Sequence, residues 1–382
     1  MNLPLMTGDR ASRWRETLVG WRNRLLGSAK FRRFAERVPG LRRIARREAA
    51  AMFDLCAGFV YSQILFACVR LGVFEFLAEG PRAARDLAHQ ARLPRESALR
   101  LLDAASALGL VESLGGERYA LGPRGVIVLA NPGIAAMVEH HALLYQDLAD
   151  PISLLRDPDV PTRIGRYWAY ARNPQARDLA PHEVADYSAL MALSQPLIAE
   201  QVLAAYPVER HRCVLDVGGG EGAFLRAVAR HTSTPRLMLF DLPGVAERAR
   251  QRVRDAGLGA RVHVVDGDFF KDALPIGADL VTLVRVIHDH DDAQALELLR
   301  AVRRCLPDHG TVLLAEPMAG APDAERVGAA YFGFYLMAMR SGLPRTPETL
   351  CALLLAAGFE KPRLLAPPMP LQTLIVVAET RK

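Results

Sequence analysis

From residue 213 onward, apolar runs of four or five residues recur: Val214–Val217, Leu237–Phe240, Val262–Val265, Leu280–Val284 and Thr311–Ala315, with helically spaced stretches between them. Short continuous apolar runs alternating with helices predict a parallel sheet whose strands are buried on both faces. The C-terminal end breaks the alternation. Pro362–Leu365, then Pro367-Pro368-Met369-Pro370, then Leu371–Glu379 predict two strands joined without a crossover helix, so the last one runs antiparallel. Upstream the rhythm is helical. Ala49–Leu77 is a long, almost wholly apolar helical stretch, and Ala83–Gln90 and Arg95–Leu108 are shorter helices. Pro94 sets the start of the latter and Gly109 follows its end. Leu110–Leu114, Gly115-Gly116 and Arg118–Leu121 predict a hairpin, and three helices followed by a hairpin make a winged-helix arrangement. Residues 122–211 read as helices broken at Pro151, Pro158, Pro161, Pro174 and Pro181, which connect the modules and roof a site.

Charge adds an N-terminal arm to this division. Residues 1–48 hold 13 Lys/Arg against 4 Asp/Glu, whereas the whole chain has a net charge of only +6, so the basic excess sits entirely in the arm. Trp14, Leu18, Trp21, Leu25 and Leu26 recur there at helical spacing. A basic amphipathic helix with interfacial tryptophans suits a membrane surface. A solvated tail and a partner-docking helix fit the same pattern. Nucleic acid fits poorly, because Arg95–Leu108, the helix that would read DNA, offers only Arg95 and Arg100 beside Glu96 and Asp103. The length of 382 residues allows the division 1–48, 49–140 and 141–382. Cysteines at 56, 68, 213, 305 and 351 show neither paired nor metal-ligand spacing. With no visible signal peptide, they are expected to be reduced thiols of a cytoplasmic protein. The most apolar segment, Leu55–Val69, looks too short to span a bilayer.

The candidate chemistry begins at Asp216-Val217-Gly218-Gly219-Gly220-Glu221-Gly222, where an apolar run ends in a carboxylate and a glycine-rich turn. Glycine permits the unusual φ/ψ of such a turn and lets a ligand approach the backbone. Asp241, ending the next run, is placed to accept hydrogen bonds from ribose hydroxyls. Two ligands fit the loop. Gly218, Gly220 and Ala223 satisfy the looser dinucleotide pattern, while Asp216, Gly218, Gly220 and Gly222 satisfy an S-adenosylmethionine pattern. A phosphate-cradling P-loop is excluded, since no Gly-Lys-Ser/Thr follows. The later strand ends decide between them. Asp268 and Phe269, after the third run, suit an adenine amino group and base face. The fourth run leads into Arg285-Val286-Ile287-His288-Asp289-His290-Asp291-Asp292, and the fifth ends in Glu316. Open α/β sheets bind ligands at these carboxyl ends, and a nicotinamide enzyme has no need of this set.

Taken together, Leu215–Gly222, Phe240-Asp241-Leu242-Pro243, Gly267-Asp268-Phe269-Phe270, Ile287–Asp292 and Ala315-Glu316-Pro317 resemble the S-adenosylmethionine-dependent O-methyltransferases. That class includes the plant caffeate and flavonoid enzymes, acetylserotonin methyltransferase and bacterial polyketide enzymes. Phe53–Gln63 and Tyr331–Gly342 are similar, more narrowly, to purple-bacterial carotenoid O-methyltransferases. The resemblance implies an α/β fold: a Rossmann-like, seven-stranded methyltransferase domain preceded by a helical, winged-helix-like domain that dimerises with its long helices exchanged. It implies S-adenosyl-L-methionine as cofactor, held by Asp216, Gly218, Gly220, Gly222, Asp241, Leu242, Asp268, Phe269 and Arg285. No metal is implied. The partners expected are a hydrophobic small-molecule acceptor, a second copy of the chain and, through residues 1–48, a membrane surface.

Within the resemblance His288 is the base and Glu316 the carboxylate that fixes its tautomer. The plant enzymes have a second glutamate before an Arg-Thr pair; here Pro344 precedes Arg345-Thr346, so one carboxylate partner is expected. The plant enzymes also carry a lysine where this chain has Val284, and Arg285 is expected to serve the cofactor end instead. His290 stands where the family usually has tryptophan, so its ring is expected to pack. Tyr145, Trp168, Tyr187, Met191, Phe334 and Met337 are candidate pocket linings. The narrower likeness implies the tertiary hydroxyl of an acyclic carotenoid as acceptor. The rivals are a phenolic polyketide O-methyltransferase and a winged-helix regulator with a methyltransferase-like ligand domain.

Overall fold

The computed structural model describes residues 8–168, 170, 173, 176–320, 325–365, 367 and 373–381. The breaks expected at Pro174 and Pro368-Met369-Pro370, and the strand start at Leu371, lie outside them. The chain divides into two compact units, Met1–Gly122 and Pro123–Lys382.

The first unit is helical with a small sheet. Helices α1 (Gly8–Gly27), α2 (Ala29–Arg37) and α3 (Pro39–Arg70) follow one another, with Ser28 capping α2 through its side chain. The expected helix Ala49–Leu77 is in fact two. Helix α3 ends at Arg70, Gly72 takes a left-handed φ of 65°, and α4 (Val73–Ala78) restarts in a new direction. The break lets Val73, Phe74, Phe76 and Leu77 turn into a core with Leu87, Leu102 and Ala105. Strand β1 (Arg82–Ala83), α5 (Ala84–Gln90), α6 (Arg95–Ala107) and the hairpin β2 (Val111–Gly115) and β3 (Arg118–Leu121) complete the unit. The three strands pair in the order β1-β3-β2. Asp103 accepts the Tyr119 hydroxyl at 2.5 Å, so part of the α6 charge is engaged inside the unit.

The second unit carries a seven-stranded sheet: β4 (Cys213–Val217), β5 (Arg236–Asp241), β6 (Val262–Asp266), β7 (Leu280–Val284), β8 (Thr311–Glu316), β9 (Phe359–Leu365) and β10 (Leu374–Thr380). The order is β6-β5-β4-β7-β8-β10-β9. The five strands β4–β8 are parallel, and β10 runs antiparallel to both β8 and β9. Strands β4, β7 and β8 are buried at every position, which is why their sequences are continuous apolar runs. Ile198, Val202, Phe224, Val228 and Val253 cover one face against Val214, Leu237, Leu239 and Leu313. Leu298, Val302, Leu350 and Leu354 cover the other against Leu215, Leu283, Val312 and Val376. The order reverses at β4, where β5 and β7 lie on opposite sides, so the carboxyl ends of β4 and its neighbours frame a ligand crevice.

Helix α3 is a partial exception to burial. Phe53, Leu55 and Phe59 remain 65%, 77% and 72% exposed. Among the described residues it is the single unbent helix long and apolar enough, by length and composition, to cross a membrane. This corrects the reading from Leu55–Val69 alone, because apolar residues continue upstream of Leu55. Such a stripe is far too apolar to face water unaided. The purified chain is expected to sediment as a dimer, and Phe59→Asp to give monomers or aggregates. A wild-type protein that sediments as a monomer at micromolar concentration refutes this.

Candidate functional site

The glycine turn after β4 is shaped by close packing. Gly218, Gly220 and Gly222 have φ values of 69°, 57° and 75°, a region that favours glycine. A Cβ on Gly218 would lie 2.8 Å from the Val286 side chain, and one on Gly219 would lie 2.8 Å from Asp216 Oδ2. Gly222 leads into the helix Ala223–His231 and does not line the cavity described below. Asp216 is buried and accepts the Thr282 hydroxyl at 2.7 Å. Asp241, at the end of β5, accepts N–H bonds from Gly220 at 2.7 Å and Leu242 at 2.8 Å. Burial raises the Asp216 carboxyl to about 7 despite the Thr282 hydrogen bond. It raises Asp241 to about 6 despite the two N–H donors. Asp268 accepts from Phe270 N–H at 3.0 Å and meets Lys271 Nζ at 3.2 Å.

The turn after β7 is held from both sides. Glu316, at the end of β8 and 1% exposed, accepts three donors: the N–H groups of Val286 at 3.0 Å and Ile287 at 2.8 Å, and His288 Nδ1 at 2.5 Å. The carbonyls of the same turn are met by residues 341–345. Arg345 donates to the Ile287 and His290 oxygens at 2.9 and 2.7 Å, Leu343 N–H to His288 at 3.0 Å, and the Ser341 hydroxyl to Asp289 at 2.6 Å. Gly342, with φ 78°, passes so close that a Cβ would collide with the His288 carbonyl oxygen.

His288 therefore has two carboxylate neighbours, where the sequence reading expected one. Glu316 faces Nδ1, and Asp289 Oδ1 lies 3.2 Å from Nε2. Asp289 is adjacent in sequence, whereas Pro344 supplies no carboxylate. The Tyr170 hydroxyl donates to its other oxygen at 2.7 Å. Burial lowers the His288 pKa, but the charges of Asp289 and Glu316 and the Glu316 hydrogen bond outweigh it, and the net shift is upward. His290 packs edge-on against Phe269 and Phe270 at 5.5 and 5.2 Å, and burial lowers its pKa. Its ring packs, as its position suggested.

These groups open into one cavity of about 670 Å³. Asp241, Leu242, Asp268, Phe269, Arg285 and His288 line it, and so do the expected Trp168, Tyr187 and Met191. Glu316 stands behind His288 rather than on the wall. Tyr145, Phe334 and Met337 are not among the lining residues. The reason for the last two is a π-helical segment, Arg326–Phe332, that precedes the helix Gly333–Met339 and brings Tyr331, Phe332 and Tyr335 inward instead. Phe334, on the other side, is 40% exposed. Sequence reasoning missed these three, along with Met137, Tyr170 and Asp289; only Asp289, next to the histidine, left a local signal. The Tyr335 hydroxyl accepts from Trp168 Nε1 at 2.8 Å and bonds His140 Nε2 at 2.7 Å, and Tyr331 bonds His141 at 2.7 Å. Arg285, at a positive φ of 62°, donates to Ser194 Oγ at 2.8 Å, Gln195 Oε1 at 3.4 Å and Met191 Sδ at 2.8 Å, all neutral groups.

Comparison with known proteins places this geometry in a family. An O-methyltransferase domain matches residues 145–360, and an O-methyltransferase dimerisation domain matches residues 53–131. The chain is 45% identical to the demethylspheroidene O-methyltransferase of Cereibacter sphaeroides, over 88% of this chain and 89% of that one. It is 39% identical to the demethylspheroidene O-methyltransferase of Rhodobacter capsulatus, over 91% and 87%. The structure of human N-acetylserotonin methyltransferase in complex with S-adenosylmethionine superposes with a TM-score of 0.72, covering 88% of this chain and 98% of that one at 24% identity, a likeness of fold.

The two raised carboxyls have a consequence for stability. Both folded-state values stand above the ordinary 3.8, so the folded protein keeps protons that the unfolded chain has released. Their contribution is largest below about pH 4 and is lost as pH rises to about 7. The thermal midpoint of the cofactor-free protein should fall between about pH 5 and about pH 8, and Asp216→Asn should shrink that fall. An unchanged fall in the variant removes Asp216 as its source.

Proposed function

The chain belongs to the S-adenosylmethionine-dependent O-methyltransferases, and from that premise we propose that it methylates the tertiary hydroxyl of an acyclic C40 carotenoid. The observation that carries this acceptor is the similarity to the two demethylspheroidene O-methyltransferases over nearly the whole chain. The cavity wall supports it. The hydroxyls of Tyr170, Tyr331 and Tyr335 are engaged with other protein groups, so these residues offer ring faces to an acceptor.

The residues present fit the cofactor. Gly218, Gly219 and Gly220 line the cavity, and at Gly220 an added Cβ would meet no protein atom within 4 Å and would stand in open space. In this reading Asp241 receives the ribose hydroxyls, Asp268 and Phe269 hold the adenine, and the glycine turn with Asp216 and Leu242 shapes the seat. Arg285, a half-buried cation whose side-chain hydrogen bonds go to neutral groups, suits the methionyl carboxylate. S-adenosylmethionine supplies a methyl group already activated by its sulfonium. The protein must hold the acceptor oxygen in line and take one proton. Orientation supplies up to about 7–11 kcal/mol, and a placed base roughly 10²–10⁴-fold. Glu316 receives the Nδ1 proton, which leaves Nε2 as the basic nitrogen. A tertiary alcohol is far too weak an acid for histidine to ionise beforehand. His288 therefore accepts the proton late, from an oxygen already made acidic by its new bond. Asp289, beside Nε2, stabilises the imidazolium that results.

His288→Ala is expected to lower turnover by roughly 10²–10⁴ with cofactor affinity nearly intact. Because the His288 pKa is raised, the acid limb of the turnover profile should lie above the ordinary 6.5. Assays with labelled S-adenosylmethionine against an acyclic carotenoid tertiary alcohol and a set of phenols check the reading. Transfer to phenols alone rejects the carotenoid.

The arm belongs to the same proposal. Trp14, Leu18, Trp21 and Leu26 on α1 are more than half exposed among arginines, a surface suited to anionic lipid. Each basic residue near such a membrane contributes about 1 kcal/mol. The protein should float with anionic vesicles and not with neutral ones, and added salt or deletion of residues 1–45 should abolish this. Equal, negligible flotation with both vesicle types eliminates membrane binding.

A further inference from the structure

The cavity is small beside the acceptor proposed for it. Taken as compact, 670 Å³ is about 11 Å across. Cavities that hold one drug-sized ligand run from about 300 to 1,000 Å³, and here the cofactor takes its share of the same space. An extended chain advances roughly 1.2 Å per bond, so a C40 isoprenoid with about thirty bonds along its length reaches about 36 Å. That exceeds even the hydrocarbon thickness of a bilayer, about 30 Å.

The wall agrees with a short occupant. Aromatic faces of Trp168, Tyr331, Phe332 and Tyr335 stand near His288, whose ring lies 5.8 Å from Phe332. The segments that carry this wall reach the surface as apolar residues. Phe334 follows Phe332 and is 40% exposed, and Leu193 follows Met191 and is 49% exposed. The cavity itself is not sealed from solvent.

We infer that the enzyme reads its acceptor end-on: only the isoprenoid head that carries the tertiary hydroxyl enters the cavity, and the rest of the chain stays outside it, in lipid or detergent. This rests on the carotenoid reading and adds a specificity to it. Recognition extends to the carbons around the hydroxyl and is blind to chain length beyond them.

A chain-length series tests it. Tertiary alcohols sharing the same head, with ten, twenty and forty carbons, are dispersed at equal mole fraction in detergent micelles and assayed with labelled S-adenosylmethionine, beside a simple phenol. End-on reading predicts kcat/KM values equal within about threefold. If the protein held the chain along its length, each methylene-sized group lost would cost about fourfold, and the ten-carbon alcohol would fall by many powers of ten. Turnover confined to the forty-carbon alcohol overturns the inference and leaves the carotenoid reading standing. Transfer to the phenol with none to any of the alcohols overturns both.

Discussion

The site depends on how the five-residue turn Val286–His290 is gripped. Its first two N–H groups and the His288 ring end on one buried carboxylate, Glu316. The carbonyls of Ile287, His288, Asp289 and His290 end on donors from Ser341, Leu343 and Arg345. A buried backbone group left unpaired costs about as much as a lost hydrogen bond, so a turn this deep needs every partner found. Two residues meet the geometric demand at some strain. Arg285 sits at positive φ without being glycine, and such residues cost of order 1–3 kcal/mol and cluster at functional sites. Gly342 can pass against the His288 carbonyl only because it lacks a Cβ.

The grip has an electrostatic side. Three acids stand at or near the carboxyl ends of β4, β5 and β8, of which Asp241 lines the cavity while Asp216 and Glu316 lie behind it, and they differ in how their charge is met. Glu316 receives three donors and Asp241 two, whereas Asp216 receives a single side-chain hydroxyl. Of the two carboxyls that burial displaces upward, Asp216 with its one donor is raised further than Asp241 with two, to about 7 against about 6. Arg285 is the mirror case, a half-buried cation with neutral hydrogen-bond partners whose pKa desolvation lowers. A site with part of its charge under-satisfied is one shaped for a charged, hydrogen-bonding ligand. The aromatic half, with its tyrosine hydroxyls turned to histidine, tryptophan and aspartate, is shaped for an apolar one.

The sheet and its ligand edge were legible because burial on both faces forces a strand to be a continuous apolar run. The strand-end acids stood out because nothing else explains a carboxylate closing such a run. His288 and Glu316 were singled out through the family resemblance, and the structure sets them against each other. What resisted reading depends on contacts far apart in sequence. The donors from Ser341, Leu343 and Arg345 lie more than fifty positions from the turn they hold. The π-helical register of Arg326–Phe332 replaces Phe334 and Met337 by Tyr331, Phe332 and Tyr335, and no 3.6-residue pattern announces it. The break in the long N-terminal helix was marked by Gly72, yet the apolar content on both sides concealed it. Asp289 was passed over because a carboxylate partner was sought where the family keeps one, at the position filled by Pro344.

A second carboxylate beside His288 suits a weakly acidic acceptor. A phenol can lose its proton early, so its base needs to be free and moderately strong at the outset. A tertiary alcohol reacts as the neutral oxygen, and the proton becomes acidic only as the carbon–oxygen bond forms. In the proposed reaction the base matters most at the end of the step, when His288 would become a cation inside a buried wall. A carboxylate 3.2 Å from the nitrogen that receives the proton opposes the cost of that buried charge. Because Tyr170 holds the carboxylate's other oxygen, the stabilising charge is already in place before the proton moves. Placing it beside Nε2, with Glu316 behind Nδ1, makes the arrangement more favourable to the imidazolium than to the neutral ring, which is where catalysis of a late proton transfer has to act.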